Sequence, residues 1–142
     1  MKKIQILLAA LVAVFMTSCV KFKTEATVDI EVTQKGKPLV GATVYKFKDN
    51  GLGEGIANYK SNASGSAVTN AAGIAHFDLK SPDDLDPSSI AGQDFSAQAN
   101  FIFCTYDAED VRNATVTATV KTGDKLTLKL DVPEGLVNDN DD

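Results

Sequence analysis

Three kinds of side chain in this 142-residue chain have the chemistry to act on or hold something: the thiols Cys19 and Cys104, the single histidine His76, and two acid clusters, Asp83, Asp84 and Asp86, then Asp107, Glu109 and Asp110. A nucleophile needs a base beside it, and no histidine or basic cluster lies near Cys104 in sequence. Cys104 therefore reads as a small apolar side chain in a strand. His76 falls between Ala75 and Phe77, on the polar phase of an alternating segment, and as a metal ligand it would find only Asp or Glu partners, a poor zinc set. Ser81, Pro82 and the acids after them read as a helix start, a capping residue with proline at the first position. No glycine-centred loop with a distal Glu follows, as calcium would need. The second acid cluster reads as a solvated turn rather than a carboxylate pair for glycoside cleavage. Gly51, Gly53, Gly55 and Gly65 do not form the spacing of a phosphate cradle. No catalytic residue, metal or cofactor is expected, and the chain reads as a non-enzyme. Trp is absent and Tyr45, Tyr59 and Tyr106 are the only tyrosines. The candidate contact surface is the Gly51 to Ser66 loop with Tyr59 as ligand-binding residue, because long irregular loops on a rigid framework carry binding. Disorder of that loop is the equal alternative.

The elements that must position these residues are strands. Val28, Ile30 and Val32 alternate with polar neighbours, and Gln34 to Lys37 closes that strand onto a second, Leu39 to Phe47. Ala67 to Thr69 is a short third strand and Ile74 to Lys80 a fourth, followed by one or two helical turns reaching toward Asp86. Phe95 to Tyr106 is the most apolar stretch after the leader and reads as the core strand, covered on both sides at its end. Thr115 to Val120 and Leu126 to Val132 read as a closing hairpin with Val120 opposite Leu126 and a three-residue loop, Thr122-Gly123-Asp124. Residues 25–133 form one domain, large enough to need neither disulfide nor metal. The tail, 134–142, is acidic and without periodicity, and disorder is expected there.

The order Gly36-x-Pro38-Leu39-x-Gly41-Ala42-x-Val44, then Thr69-Asn70-x-x-Gly73-x-Ala75-x-Phe77, resembles the carboxypeptidase regulatory-like domains, of transthyretin and CNA-B type. The resemblance implies an all-β fold, a seven-stranded immunoglobulin/transthyretin-like sandwich of two antiparallel sheets, with no catalytic role. Transthyretin-like hydroxyisourate hydrolases resemble one another through several histidines and a C-terminal Tyr-Arg-Gly-Ser, and this chain has neither. The strand entered near Phe95 is longer than its family counterpart and lacks the usual Pro-Gly entry.

Met1-Lys2-Lys3 followed by the apolar run Ile4 to Phe15 reads as a signal peptide, 1–18, too short to span a bilayer. Met16-Thr17-Ser18-Cys19 resembles the bacterial lipobox, which implies cleavage before Cys19 and lipidation of its thiol and amine. Residues 19–24 are then a tether, and more than one acyl chain makes the anchoring stable. Val20 in place of Asp implies the outer membrane, and the lack of acids beside Lys21 and Lys23 favours a periplasm-facing over a surface-exposed orientation. With Cys19 acylated, Cys104 has no disulfide partner. Loss of Lys2 and Lys3 takes the net charge from −5 to about −7, which argues against nucleic acid as a partner. The expected function is a lipid-anchored, monomeric envelope module serving another envelope protein as a binding or structural accessory. A surface-appendage subunit assembled by strand exchange is the first alternative and a small envelope hydrolase the second.

Overall fold

The computed structural model describes residues 24–51, 53–87 and 97–134. The leader, Cys19, Phe95 and the tail from 135 lie outside the described residues. Among the described residues nine strands follow one another: β1 (Glu25–Gln34), β2 (Lys37–Pro38), β3 (Thr43–Asp49), β4 (Gly65–Val68), β5 (Ile74–Lys80), β6 (Asp86–Pro87), β7 (Ala97–Tyr106), β8 (Arg112–Lys121) and β9 (Lys125–Asp131). The sequence predicts seven; β2 and β6, two residues each, are the additional ones. Two short 3₁₀ turns, Glu54–Asn58 and Lys60–Asn62, lie between β3 and β4.

The strands that alternation predicts form two sheets, so the fold is the all-β sandwich that the family resemblance implies. In the first sheet β1 is central, with β5 antiparallel on one side, β9 parallel on the other, and β2 pairing its end. In the second, β7 is central, with β3 and β8 antiparallel on its two sides, β4 beside β3, and β6 pairing its start. The first sheet is therefore mixed, not antiparallel.

The expected hairpin of the last two long strands does not form. Thr122, Gly123 and Asp124 are the connection, but they carry the chain from one sheet to the other. Thr122 N–H donates to Ala97 of β7 at 2.9 Å and Gly123 N–H to Glu25 of β1 at 2.8 Å, so the linker is bonded to both sheets. Val120 and Leu126 consequently both point into the interior from opposite sheets instead of lying side by side. A similar crossing separates β2 from β3: the Thr69 hydroxyl donates to Leu39 O at 2.6 Å and accepts from Ala42 N–H at 2.9 Å. Only Lys37 and Pro38, which precede the predicted second strand, pair with β1; the later part of Leu39 to Phe47 joins the other sheet as β3. Gly73, at φ +77°, turns the chain into β5 where an added Cβ would sit 2.9 Å from both Val32 O and the Pro38 ring.

The predicted helical turns at 81–86 are also absent. Asp84 folds back so that its carboxylate accepts the Lys80 N–H at 3.0 Å and its own N–H donates to Lys80 O at 2.7 Å, which makes a tight turn.

The interior follows from alternation. Val28, Ile30, Val32, Ala75, Phe77 and Leu79 from the first sheet meet Val44, Phe101, Phe103 and Val120 from the second. The Phe77 and Phe103 rings stand 5.2 Å apart, tilted by 53°.

Candidate functional site: the covered face of the second sheet

β7 is apolar on both faces from Phe101 to Cys104, and β3 beside it adds apolar side chains to each face. Val44, Phe101 and Phe103 point inward, while Phe47, Ile102 and Cys104 point outward and are nonetheless buried. A sheet with such an outer face requires a cover, and residues 53–64 supply it. Ala57 is fully buried against Phe47, Ile102 and Cys104, with Ile56, Ala63, Tyr45 and Tyr106 around them. The segment predicted as mobile or functional is thus a folded layer over a second small core.

Hydrogen bonds at each end hold the cover down. The Asp49 carboxylate accepts N–H bonds from Gly51 at 2.9 Å and Gly53 at 3.1 Å, turning the chain out of β3. Arg112 Nη1 donates to Glu54 O at 3.2 Å, and the Tyr106 hydroxyl donates to Ala57 O. Asn62 Nδ2 donates to Ile56 O at 3.1 Å, and Ser64 N–H to Lys46 O at 2.8 Å, which returns the chain to the sheet.

On this cover Lys60 reaches Asp110, in the β7–β8 turn, at 2.5 Å. Its ammonium lies 5.4 Å from the Tyr45 ring centre and 5.5 Å from that of Tyr106, the two rings being edge to face at 5.2 Å. The Asp110 hydrogen bond raises the Lys60 pKa above its ordinary value. Tyr59 precedes Lys60 and is 69% exposed; Val111 follows Asp110 and is 56% exposed. Two exposed apolar side chains therefore flank a single ion pair. This arrangement suits protein contact: an aromatic and an aliphatic anchor with charged groups around them, on a segment fixed from beneath.

The other candidate residues lie elsewhere. Cys104 is fully buried, and burial pushes its pKa up, opposite to what a nucleophile needs. His76 is exposed on the first sheet, with Nδ1 2.5 Å from Asp29 and Nε2 2.9 Å from Asp78. A neutral imidazole donates through one nitrogen only, so both contacts together call for the imidazolium, and the Asp29 and Asp78 bonds raise the His76 pKa. Two of the three acids read against calcium are lysine partners: Asp84 pairs with Lys46 at 2.9 Å and Asp86 with Lys48 at 2.6 Å. Burial pushes the Asp84 carboxyl up, but Lys46 and the Lys80 N–H outweigh it and its pKa lies below the ordinary value. Asp107 accepts N–H bonds from Glu109 at 2.8 Å and Val111 at 3.0 Å and shapes the turn. Among the described residues no three metal-ligating side chains form a group suited to an ion.

Sequence reasoning singled out Tyr59 but missed its companions Tyr45, Tyr106, Lys60 and Asp110, which come from three separate segments. It also missed Lys46, which stands on the inward phase with Val44 and is buried under Asp84. A lysine on the apolar phase of a strand was the available signal.

No protein-family model matches the chain, and no curated protein matches it. Among solved structures it is similar to the TIE protein of Bacillus anthracis, at 14% identity over 78% of this chain and 17% of that one, with a TM-score of 0.45. It is similar to GBS52, the minor pilin of Streptococcus agalactiae, at 11% identity over 80% of this chain and 46% of that one, TM-score 0.47. A DUF3823 family protein from Parabacteroides merdae aligns at 13% identity over 77% of this chain and 46% of that one, TM-score 0.44. The chain spans less than half the length of each of these three proteins.

Proposed function

We propose that this chain is a non-catalytic accessory of the cell envelope, tethered to the outer membrane through acylated Cys19 and facing the periplasm, whose covered sheet face meets another envelope protein around Tyr59. The observation that carries this reading is the cover itself: residues 53–64 are pinned over Phe47, Ile102 and Cys104, yet leave Tyr59 exposed. With the backbone of its segment already fixed, an aromatic there needs little further ordering of the main chain when a partner takes it up. The lipobox-like Met16 to Cys19 supports the tether, and the terminal strands weigh against subunit polymerisation by strand exchange. β1 and β9 pair with each other over seven positions, from Thr27 with Lys125 to Thr33 with Asp131, so exchange would have to undo that pairing.

Crosslinking of the tethered protein in intact cells tests both halves. A discrete partner adduct is expected for the wild type, loss of that adduct for Tyr59→Ala, and release from the membrane fraction with loss of lipid labelling for Cys19→Ala. An unchanged adduct in Tyr59→Ala would move the contact elsewhere, and unaltered lipid labelling in Cys19→Ala would remove the tether.

A further inference from the structure

A sandwich of two sheets has four open margins, and three of them here are guarded. β4 is four residues long, β5 carries His76, Asp78 and Lys80 in alternation, and β9 carries Lys125, Lys129 and Asp131. Such brevity and charge are how natural strands avoid unwanted pairing. β8 is different. It is ten residues long, pairs only with β7 among the described residues, and holds no charge between Arg112 and Lys121. A register shift opposite Thr105 and Tyr106 leaves Asn113 outside the backbone register, its side chain accepting from the Thr105 hydroxyl at 2.6 Å, so the regular stretch is Ala114 to Lys121, rich in Thr and Val.

The interior is also incompletely closed at this margin. Ala114, Val116 and Ala118 of β8 and Leu126 and Leu128 of β9 pack on the core but are only partly buried. Residues 112–131 hold four basic against two acidic side chains in a chain of net charge −5.

We propose that β8 accepts a strand from a second polypeptide, an extended segment with alternating apolar residues and acids at both ends. Its backbone would pair with Ala114 to Lys121, and its apolar side chains would lie on Val116, Ala118, Leu126 and Leu128. Its terminal acids would meet Arg112 and Lys121. A second copy of this chain is disfavoured as the occupant, because antiparallel self-pairing centred on the strand sets Arg112 opposite Lys121, like charge against like. Arg112 also bonds the cover at Glu54, so the margin is continuous with the Tyr59 surface. The proposal rests on the accessory reading and deepens it by naming how the partner is held.

The test uses the full-length chain and two synthetic peptides, alternating Val and Thr over eight residues, one ended by Glu and one by Lys. The Glu-ended peptide is expected to slow amide exchange in Ala114 to Lys121 by tenfold or more at the outward N–H groups, and to bind more tightly than the Lys-ended one. The Arg112→Glu, Lys121→Glu double variant should reverse that preference, with its native amide pattern elsewhere showing that it folds. No saturable binding, protection on β4, β5 or β9 instead, or a β8-paired dimer without peptide would each overturn the proposal. Failure here with the Tyr59-dependent adduct intact would leave the accessory reading standing; loss of both would remove it.

Discussion

The two sheets turn very different outer faces to their surroundings. The first shows charged and hydroxyl side chains, Thr27, Asp29, His76, Asp78, Lys125 and Thr127 among them, and lies bare among the described residues. The second shows Phe47, Ile102 and Cys104 and has grown a layer of its own from the β3–β4 connection. The difference begins in the strands. β1 and β5 alternate strictly, so one face is wet, whereas β7 becomes apolar on both phases from Phe101 to Cys104 and needs burial twice. A loop recruited to meet that need is fixed in place, and its outward residues become a rigid surface; the bare face, already solvated, offers only exchangeable charges.

Truncation of the covered face should give the largest effect. Phe47→Ala removes a fully buried ring from the second core and is expected to cost about 3–5 kcal/mol, whereas Thr127→Ala on the bare face should stay within about 0.5 kcal/mol in urea unfolding. Similar costs for both would erase the distinction.

β3 sharpens the comparison because its inward phase carries an ion pair. The Lys46 side chain is 7% exposed and that of Asp84 25%. Asp84→Ala leaves an ammonium buried without a partner and should cost about 3 kcal/mol. Lys46→Met should cost less, since the remaining carboxylate reaches water. Equal losses would show that the pair is not asymmetrically buried.

A smaller effect is expected from Tyr106→Phe, which removes only the hydroxyl donating to Ala57 O, about 1 kcal/mol. Amide exchange should then quicken in residues 56–63 and leave β1 and β5 unchanged.

The smallest effect belongs to His76. Its pKa is raised by Asp29 and then Asp78, so its contribution is whole below the unfolded value of 6.5 and fades as pH rises through the folded one. With the side chain 53% exposed, solvent screens the interaction, and His76→Gln should flatten the pH dependence by no more than about 0.5 kcal/mol. A loss of stability on lowering the pH toward 6.5, abolished in His76→Gln, would reverse the assigned sign.

Much of this is legible in the sequence. Alternation located β1, β3, β5, β8 and β9, and the double-phase apolar run of β7 marked the most buried strand. What alternation cannot say is which sheet a strand joins. The same inward phase of Val120 and Leu126 serves a hairpin or a crossing, and the outcome is decided by backbone bonds of Thr122 and Gly123 to distant strands. The helical reading of 81–86 failed for a related reason: Asp84 is claimed by Lys46, 38 residues away, and by Lys80, so local capping preference is overridden. Tyr59 was visible as an aromatic in a long loop, but its support was not, because Tyr45, Tyr106 and Asp110 converge only through strand pairing.

The most direct test of the account is a photoreactive residue placed in the full-length protein in intact cells at position 59, on the covered face, and separately at position 76, on the bare one. A discrete adduct from 59 with none from 76 is the predicted result. Adducts from 76 alone, or the same adduct from both positions, would contradict the claim that the covered face is the side this protein offers to its partner.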